Sequence, residues 1–415
     1  MSGAAAMLDA KQAPWLAHGP LPRLLDVLDG NGEEARVVGG AVRNALLQVP
    51  VGEIDLATTA IPDEVARRAT EAGFHPVPTG IEHGTVTVVI DGKPFEVTTL
   101  REDVETDGRH ARVKFGRDWK RDAERRDFTM NALSLKRDGV VVDLVGGLPD
   151  LRARKVRFIG DAETRIREDY LRILRFFRFH AAYGEGPMDR EGLAACIRAR
   201  AGMETLSRER VRAELMKLLL AKHAVPALAV MSETGLLGAI LGGVPYLASY
   251  SNLVKAEAAA KLPKDAARHL AALGVHVVED ADRLRERLRL TNAEHDRLRS
   301  MGDRWWQVSP QAGEAAAKAL LYRIGAENFR DRAVIALARS QAKDDDKAWL
   351  DLIALPQRWT APEFPLKARD FIERGVAKGP ALGASLARAE AAWIAAGFPQ
   401  DKVSLNLIAQ RAASS

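Results

Sequence analysis

A single cysteine, Cys196, stands in 415 residues. No disulfide can form within the chain, and no cysteine-rich zinc site is available. Long apolar runs are also missing, since nothing in the sequence stays apolar over the ~20 residues that a bilayer-spanning helix needs. The start, MSGAAAMLDAKQAPWL, has neither the basic opening nor the sustained apolar stretch of a secretory signal. A cytoplasmic protein without membrane contact is the expectation. Acidic charge does not dominate either, because 61 Lys and Arg stand against 56 Asp and Glu. Basic residues crowd between Arg101 and Arg126 and again between Arg152 and Arg178. That density suits a partner with an acidic backbone such as a nucleic acid, although solvated helix faces would give the same count.

The length exceeds one ordinary domain. Up to about residue 160 strand and helix signals mix. Strands are predicted at Arg36–Val38, Ile54–Ala57, Thr85–Ile90, Phe95–Leu100, Val140–Leu144 and Arg157–Ile159. Asp91-Gly92 between the third and fourth reads as a hairpin turn, and Pro62 opens a helix over Ile61–Ala72. From about Asp161 strand signals vanish and apolar residues recur at helical spacing. Helices are predicted at Glu209–Leu220, Ala224–Glu233, Asn252–Lys261, Ala281–Leu290, Glu314–Ile324 and Ala384–Ala396. No fixed-period repeat is present.

The segment VVGGAVRNALLQVPVGEIDLATT, Val37–Thr59, reads as strand, Gly-Gly turn, helix with Arg43, then a second strand. Strand alternation would aim Glu53 and Asp55 the same way, with Ile54 turned into the core. Gly39 and Gly40 let backbone N–H groups approach phosphate oxygens, and Arg43 adds a forked cation. Such a set suits metal-assisted nucleotidyl transfer, while an exposed E-x-D on a strand end can also be merely solvated. Glu96, in PFEVTTLR, follows a hairpin able to bring it beside that strand as a third acid. Oxygen-only ligands favour magnesium over zinc.

In ERRDFTMNA, Arg126 could hold phosphates, and Asp127 and Asn131, four apart, could grip ribose hydroxyls; a helix cap at Asp127 fits equally. In REDYLRILRFFRF, Asp169, Arg172, Arg175 and Arg178 sit three apart, which makes them neighbours on a helix. Asp169 with Arg172 would set an acceptor beside a donor fork, matching the Watson–Crick edges of cytosine and adenine and opposing those of uracil and guanine. Surface ion pairs on an amphipathic helix would give the same spacing.

Taken in order, GGAVRN…EIDLATTA, FEVTTLRED, DGRHARV, ERRDFTMNA, DLVGGLPDLRARKVRFIG, REDYLRILRFFRF and SRERVRAELMKLLL resemble the motif series of the class II tRNA nucleotidyltransferase and bacterial poly(A) polymerase family. The likeness covers roughly residues 35 to 220. It implies an α+β fold: a polymerase beta-like nucleotidyltransferase head with a mixed sheet, followed by an all-α neck, body and tail. The implied division is an extension over 1–32, head 33–160, neck 161–222, and a tRNA-binding body and tail 223–415. It further implies that Gly39, Gly40 and Arg43 hold the triphosphate, and that Glu53 and Asp55 bind Mg2+ with Glu96 as third catalytic acid. Arg126, Asp127 and Asn131 would contact phosphate and ribose. Asp169 and Arg172 would read the base, supported by Arg175 and Arg178. The segment Asp103–Val113, with Arg109 and Arg112, resembles the flexible loop of enzymes that add the whole CCA end. The implied substrates are tRNA, CTP and ATP, with no obligate protein partner. Sister activities in the family are poly(A) or A-only addition, and a non-catalytic RNA-binding paralogue is a further alternative. Two positions depart from the family pattern: Glu53 stands for Asp, and Asn44 for the Asp after Arg43. His295-Asp296 lacks the spaced histidines of a phosphohydrolase site and reads as solvated surface.

Overall fold

The computed structural model describes residues 6–81, 84–103 and 113–414. They form two compact units, Met1–Leu206 and Ser207–Ser415. The first holds a seven-stranded mixed sheet in the order β3-β4-β5-β2-β1-β8-β9. Its strands are β1 (Ala35–Val38), β2 (Asp55–Thr58), β3 (His75–Gly80), β4 (Thr85–Ile90), β5 (Lys93–Thr99), β8 (Ser134–Leu135) and β9 (Val141–Val142). A separate hairpin pairs β6 (Arg101–Asp103) with β7 (Val113–Phe115). Among the described strands of this sheet only β2 and β5 run parallel; the other neighbours are antiparallel.

Local sequence explains much of this. The Thr and Val alternation of β4 buries every second side chain. At the β4–β5 turn Asp91 and Gly92 both have positive φ, 51° and 75°, as a primed hairpin turn requires. Pro62 opens the helix Pro62–Glu71. β3 carries Pro76 and Pro78 and went unpredicted; it is tolerated because it lies at the sheet's edge. The strand expected at Arg157–Ile159 is reduced to one bridge, Phe128 to Phe158. Phe158 instead stacks on Phe176, with centroids 5.5 Å apart. Residues before the sheet are built into this unit rather than appended. In the helix Pro20–Leu28, Leu21, Leu24, Leu25 and Leu28 are buried, and the Leu8 amide donates to the Gly139 carbonyl at 2.9 Å.

Every regular element among the described residues of the second unit is a helix. The helix Ala224–Glu233 falls where it was expected. The one expected over Glu314–Ile324 runs on to Arg339 across a kink at Gly325, where φ is 79°. Ala266–Gly274 went unpredicted although Asp265 caps it, and it is buried on nearly every side, its polar Arg268 and His269 included. Within this unit Arg268 donates from Nε to Glu257 at 2.9 Å and from Nη1 to Asp331 at 3.3 Å. Arg297 Nε donates to the other Asp331 oxygen at 2.6 Å. His295 corrects the expectation of solvated surface: it is buried, with Nε2 2.7 Å from Asp282 Oδ1.

Candidate active site

β1 is followed by Gly39, whose φ of 70° turns the chain into the helix Gly40–Leu46. A Cβ at Gly39 would lie 3.3 Å from Arg126 Nη1, so the glycine lets that guanidinium rest against the turn. Arg126 is tethered at its other end to Asp122 Oδ2, 3.3 Å away. Next to β1, β2 begins at Asp55, which lies opposite Val38 on one side and Glu96 of β5 on the other. In-register neighbours share a face, so both carboxylates rise from the same side of the sheet.

Glu53 and Ile54 correct the alternation argument. The strand starts only at Asp55, leaving Glu53 in the exposed approach and Ile54 half-buried rather than in the core. Glu53 is nonetheless close enough to act on Asp55. The Asp55 pKa is raised by desolvation first, then by the charges of Glu96 and Glu53, with Arg126 opposing. Among the described residues no three acidic, histidine or cysteine side chains converge tightly enough to cage a metal ion. Solvent-open, oxygen-only carboxylates fit a hard ion that keeps waters and takes further ligands from phosphates, as magnesium does.

The raised pKa has a measurable consequence. Asp55 takes up its proton at a higher pH than an ordinary aspartate with its value of 3.8. In the metal-free protein the Asp55 carboxyl is therefore expected to titrate above the usual aspartate range, read by NMR as a function of pH. The stability of the unliganded fold follows from the same shift. A folded-state pKa above the unfolded one means that protonation of Asp55 stabilises the protein as pH falls through it.

Behind this row lies a buried polar network. Arg43 Nη1 donates to Asn131 Oδ1 at 2.6 Å, and Asn131 Nδ2 donates to Asp127 Oδ1 at 3.1 Å. Asp127 Oδ2 accepts from Arg175 Nε at 2.7 Å and Nη2 at 2.5 Å. Arg43, Asp127 and Asn131 are each under 10% exposed. This differs from the expected ribose grip and open phosphate fork. Asp127 is not on a shared helical turn with Asn131; it precedes the short 3-10 turn Thr129–Asn131. The reason is its neighbour Phe128, fully buried against Phe158 and Phe179 at 4.9 and 5.2 Å, which draws the segment inward.

The expected single helix through Asp169 and Arg172 is broken. One helix, Ala162–Glu168, ends at Asp169 in extended conformation, and the next spans Leu171–Tyr183. Asp169 Oδ1 accepts from the Leu171 amide at 3.1 Å. The Arg172 fork donates to the Arg165 carbonyl at 2.7 Å and to the Glu168 carboxylate. Arg175 and Arg178 place their guanidiniums 5.3 and 4.2 Å from the Phe179 ring centroid. Sequence reasoning missed three supporting residues. Asp122 and Glu168 stand four before Arg126 and Arg172, a helical spacing that could have revealed them. Tyr183, whose hydroxyl lies 2.7 Å from Arg43 Nη2, left no local signal. Arg109 and Arg112 lie outside the described residues.

Comparison with known proteins places this geometry. Residues 35–157 match the Poly A polymerase head domain, and 187–250 match the probable RNA and SrmB-binding site of polymerase A. The mouse CCA tRNA nucleotidyltransferase 1, mitochondrial, is 33% identical over 386 residues, 92% of this chain and 88% of the mouse protein. The chain belongs to the CCA tRNA nucleotidyltransferase family. The CCA-adding enzyme of Limosilactobacillus fermentum, another member, is 33% identical over 88% of this chain and 90% of its own. The Bacillus stearothermophilus CCA-adding enzyme, solved in complex with CTP, superposes with a TM-score of 0.76 at 28% identity. That match covers 95% of this chain and 97% of the other. The mixed sheet and helical remainder expected from the motifs are thus the family's architecture. No helix among the described residues is long and apolar enough to cross a membrane.

Proposed function

We propose that this protein adds C, C and A to the 3′ end of tRNA, taking them from CTP and ATP without a nucleic-acid template. The observation that carries the reading is the row formed by Asp55 and Glu96 beside the Gly39 turn and Arg126, in a chain so similar over its length to CCA tRNA nucleotidyltransferases. The tRNA 3′-hydroxyl attacks the α-phosphate, and pyrophosphate leaves in line. Glu53, Asp55 and Glu96 would hold magnesium, which when bound neutralises charge on the reacting phosphates. Arg126 and the Gly39–Gly40 turn receive the triphosphate. Asp169 and Arg172 face the base once their present contacts exchange for it. Asp127, Asn131, Arg43 and Arg175 form the scaffold that fixes these groups, and catalysis is mostly positioning and charge stabilisation. The helical unit from Ser207 onward holds tRNA through phosphates and shape. A cytoplasmic setting belongs to the same proposal.

The deciding experiment withholds nucleotides. On tRNA lacking its CCA end, CTP alone is expected to add two residues, ATP alone none, and both together the complete end. Long runs of A with CTP ignored would point to poly(A) polymerase. No incorporation beside intact tRNA binding would point to a non-catalytic paralogue. tRNA affinity is also expected to fall steeply with salt, linearly in log–log form, and nearly equally for different tRNA sequences.

A further inference from the structure

Gly202 stands in the 3-10 turn Arg200–Thr205, which follows the helix Arg190–Arg198. Its backbone is not in the left-handed region, so no turn geometry demands a glycine there. What demands it is a neighbour. A Cβ at Gly202 would fall inside the Tyr170 ring, overlapping Cδ1, Cε1 and Cζ. The turn itself is held at several points. The Gly202 amide donates to the Ala199 carbonyl at 3.0 Å, the Gly202 carbonyl accepts from the Thr205 hydroxyl at 2.8 Å, and Met203 beside it is buried. A bare stretch of backbone is thus a fixed seat for one aromatic ring.

Tyr170 is the single residue between Asp169, where the helix Ala162–Glu168 ends, and Leu171, where the next helix begins. Its own φ and ψ, −60° and −15°, are already helical, whereas Asp169 is extended at −157° and 104°. The chain therefore changes direction at Asp169 with no glycine or proline to impose it. A local bond contributes, since Asp169 Oδ1 accepts from the Leu171 amide at 3.1 Å. A carboxylate that turns to a nucleobase gives that bond up. The Tyr170 seat does not draw on the carboxylate, so it persists when the bond is exchanged. Arg172 follows within the same turn, its amide bonded to the Asp169 carbonyl at 3.0 Å. A shift of the break would carry both side chains with it.

We propose that the seat of Tyr170 on Gly202 is a specificity-determining contact: it fixes how Asp169 and Arg172 stand to each other, and thereby the choice of cytosine and adenine over uracil and guanine. Tyr170 and Gly202 are then positioning residues that touch no nucleotide. This rests on the nucleotidyl-transfer reading and adds to it what holds the base-reading pair in place. A cleft of about 220 Å³ lined by Glu163, Arg167, Arg198, Gly202 and Tyr170 adjoins the ring, so a displaced ring has room to swing without disrupting the core.

The test compares nucleotide choice rather than rate. Calorimetry gives the relative affinities for CTP and UTP, and incorporation into tRNA lacking its CCA end gives the ratio of their kcat/KM values. In Gly202→Ala the preference for CTP is expected to fall at least about tenfold, within the hundredfold that a misplacement of ~1 Å can cost a positioned group. Tyr170→Leu removes the ring without adding a clash, and should lose the same preference even where Gly202→Ala folds poorly. Tyr170→Phe keeps the ring and should keep the ratio. A CTP-to-UTP ratio left at the wild-type value in Tyr170→Leu would overturn the inference. So would CTP and UTP values that fall together, the mark of a merely structural contact, or a wild type that neither binds nor incorporates CTP in preference to UTP. A wild type that incorporates nothing yet prefers CTP in calorimetry, with the preference gone in Tyr170→Leu, would sink the proposed activity and leave the seat standing.

Discussion

Asp55→Asn is expected to lower nucleotide incorporation at least about a thousandfold, because losing one carboxylate that holds the ion costs several kcal/mol of transition-state stabilisation. The variant should still bind tRNA with wild-type affinity, since the tRNA contacts assigned to the helical unit do not involve this residue. Its stability should move the other way. Asp55 is desolvated and repelled by Glu96 and Glu53, so an isosteric amide removes a repulsive charge from the unliganded protein. A single-turnover assay with saturating CTP, beside a thermal melt without nucleotide, reads both signs. More than a tenth of the wild-type rate in Asp55→Asn, or a drop in melting temperature matching the loss of rate, would show that the residue is structural. Glu96→Gln provides the second point: lying opposite Asp55 in register, it should share the direction of both effects. An activity loss coupled to a stability gain marks a site whose charges are crowded for a ligand rather than for the fold.

How much of this was legible in the sequence depends on how local each feature is. The β4–β5 hairpin was, because Asp91-Gly92 sets a turn and Thr85–Ile90 alternates. The neighbourhood of Asp55 and Glu96 could be anticipated from that hairpin, but the parallel pairing of β2 with β5 could not, since it depends on a crossover. The break between Asp169 and Leu171 carries no glycine or proline, so continuous helical spacing hid it. Helix Asn292–Gly302 did announce itself, since Thr291 and Glu294 form a capping box; the signal was there to be read. Ala266–Gly274 offered a signal too, since Asp265 caps it, but its burial of Arg268 and His269 was not legible. The network joining Arg43 to Asn131, Asp127 and Arg175 mixes neighbours with partners far along the chain. Its residue types were legible as chemistry, but the burial of Arg43, Asp127 and Asn131 was not. Only packing around Phe128 decides that, and packing is not written in spacing.

Asp331→Ala should be among the most destabilising single substitutions in the helical unit, by about 3–5 kcal/mol, the cost of stripping one partner from a buried ion pair. Asp331 is 1% exposed and accepts from two arginines, Arg268 and Arg297. Removing it leaves Arg268, itself 4% exposed, with Glu257 as its remaining acid. Glu257 is shared in turn with His269, whose Nε2 lies 2.8 Å from its second oxygen, so little capacity is left to absorb a second charge. Surface pairs make the contrast. Arg67 and Glu71 are bonded at 2.7 Å, but both side chains are more than half exposed, and Glu71→Ala should leave the denaturation midpoint unmoved. Urea unfolding followed by far-ultraviolet circular dichroism compares the two variants directly. If Asp331→Ala unfolds at the wild-type midpoint, the buried charges are balanced by something other than this carboxylate. A double variant, Asp331→Ala with Arg268→Leu, then separates lost attraction from stranded charge. Replacing the buried partner by an apolar side chain should recover part of the loss, since the larger share of the penalty is Arg268 left in the interior with one acid where it had two.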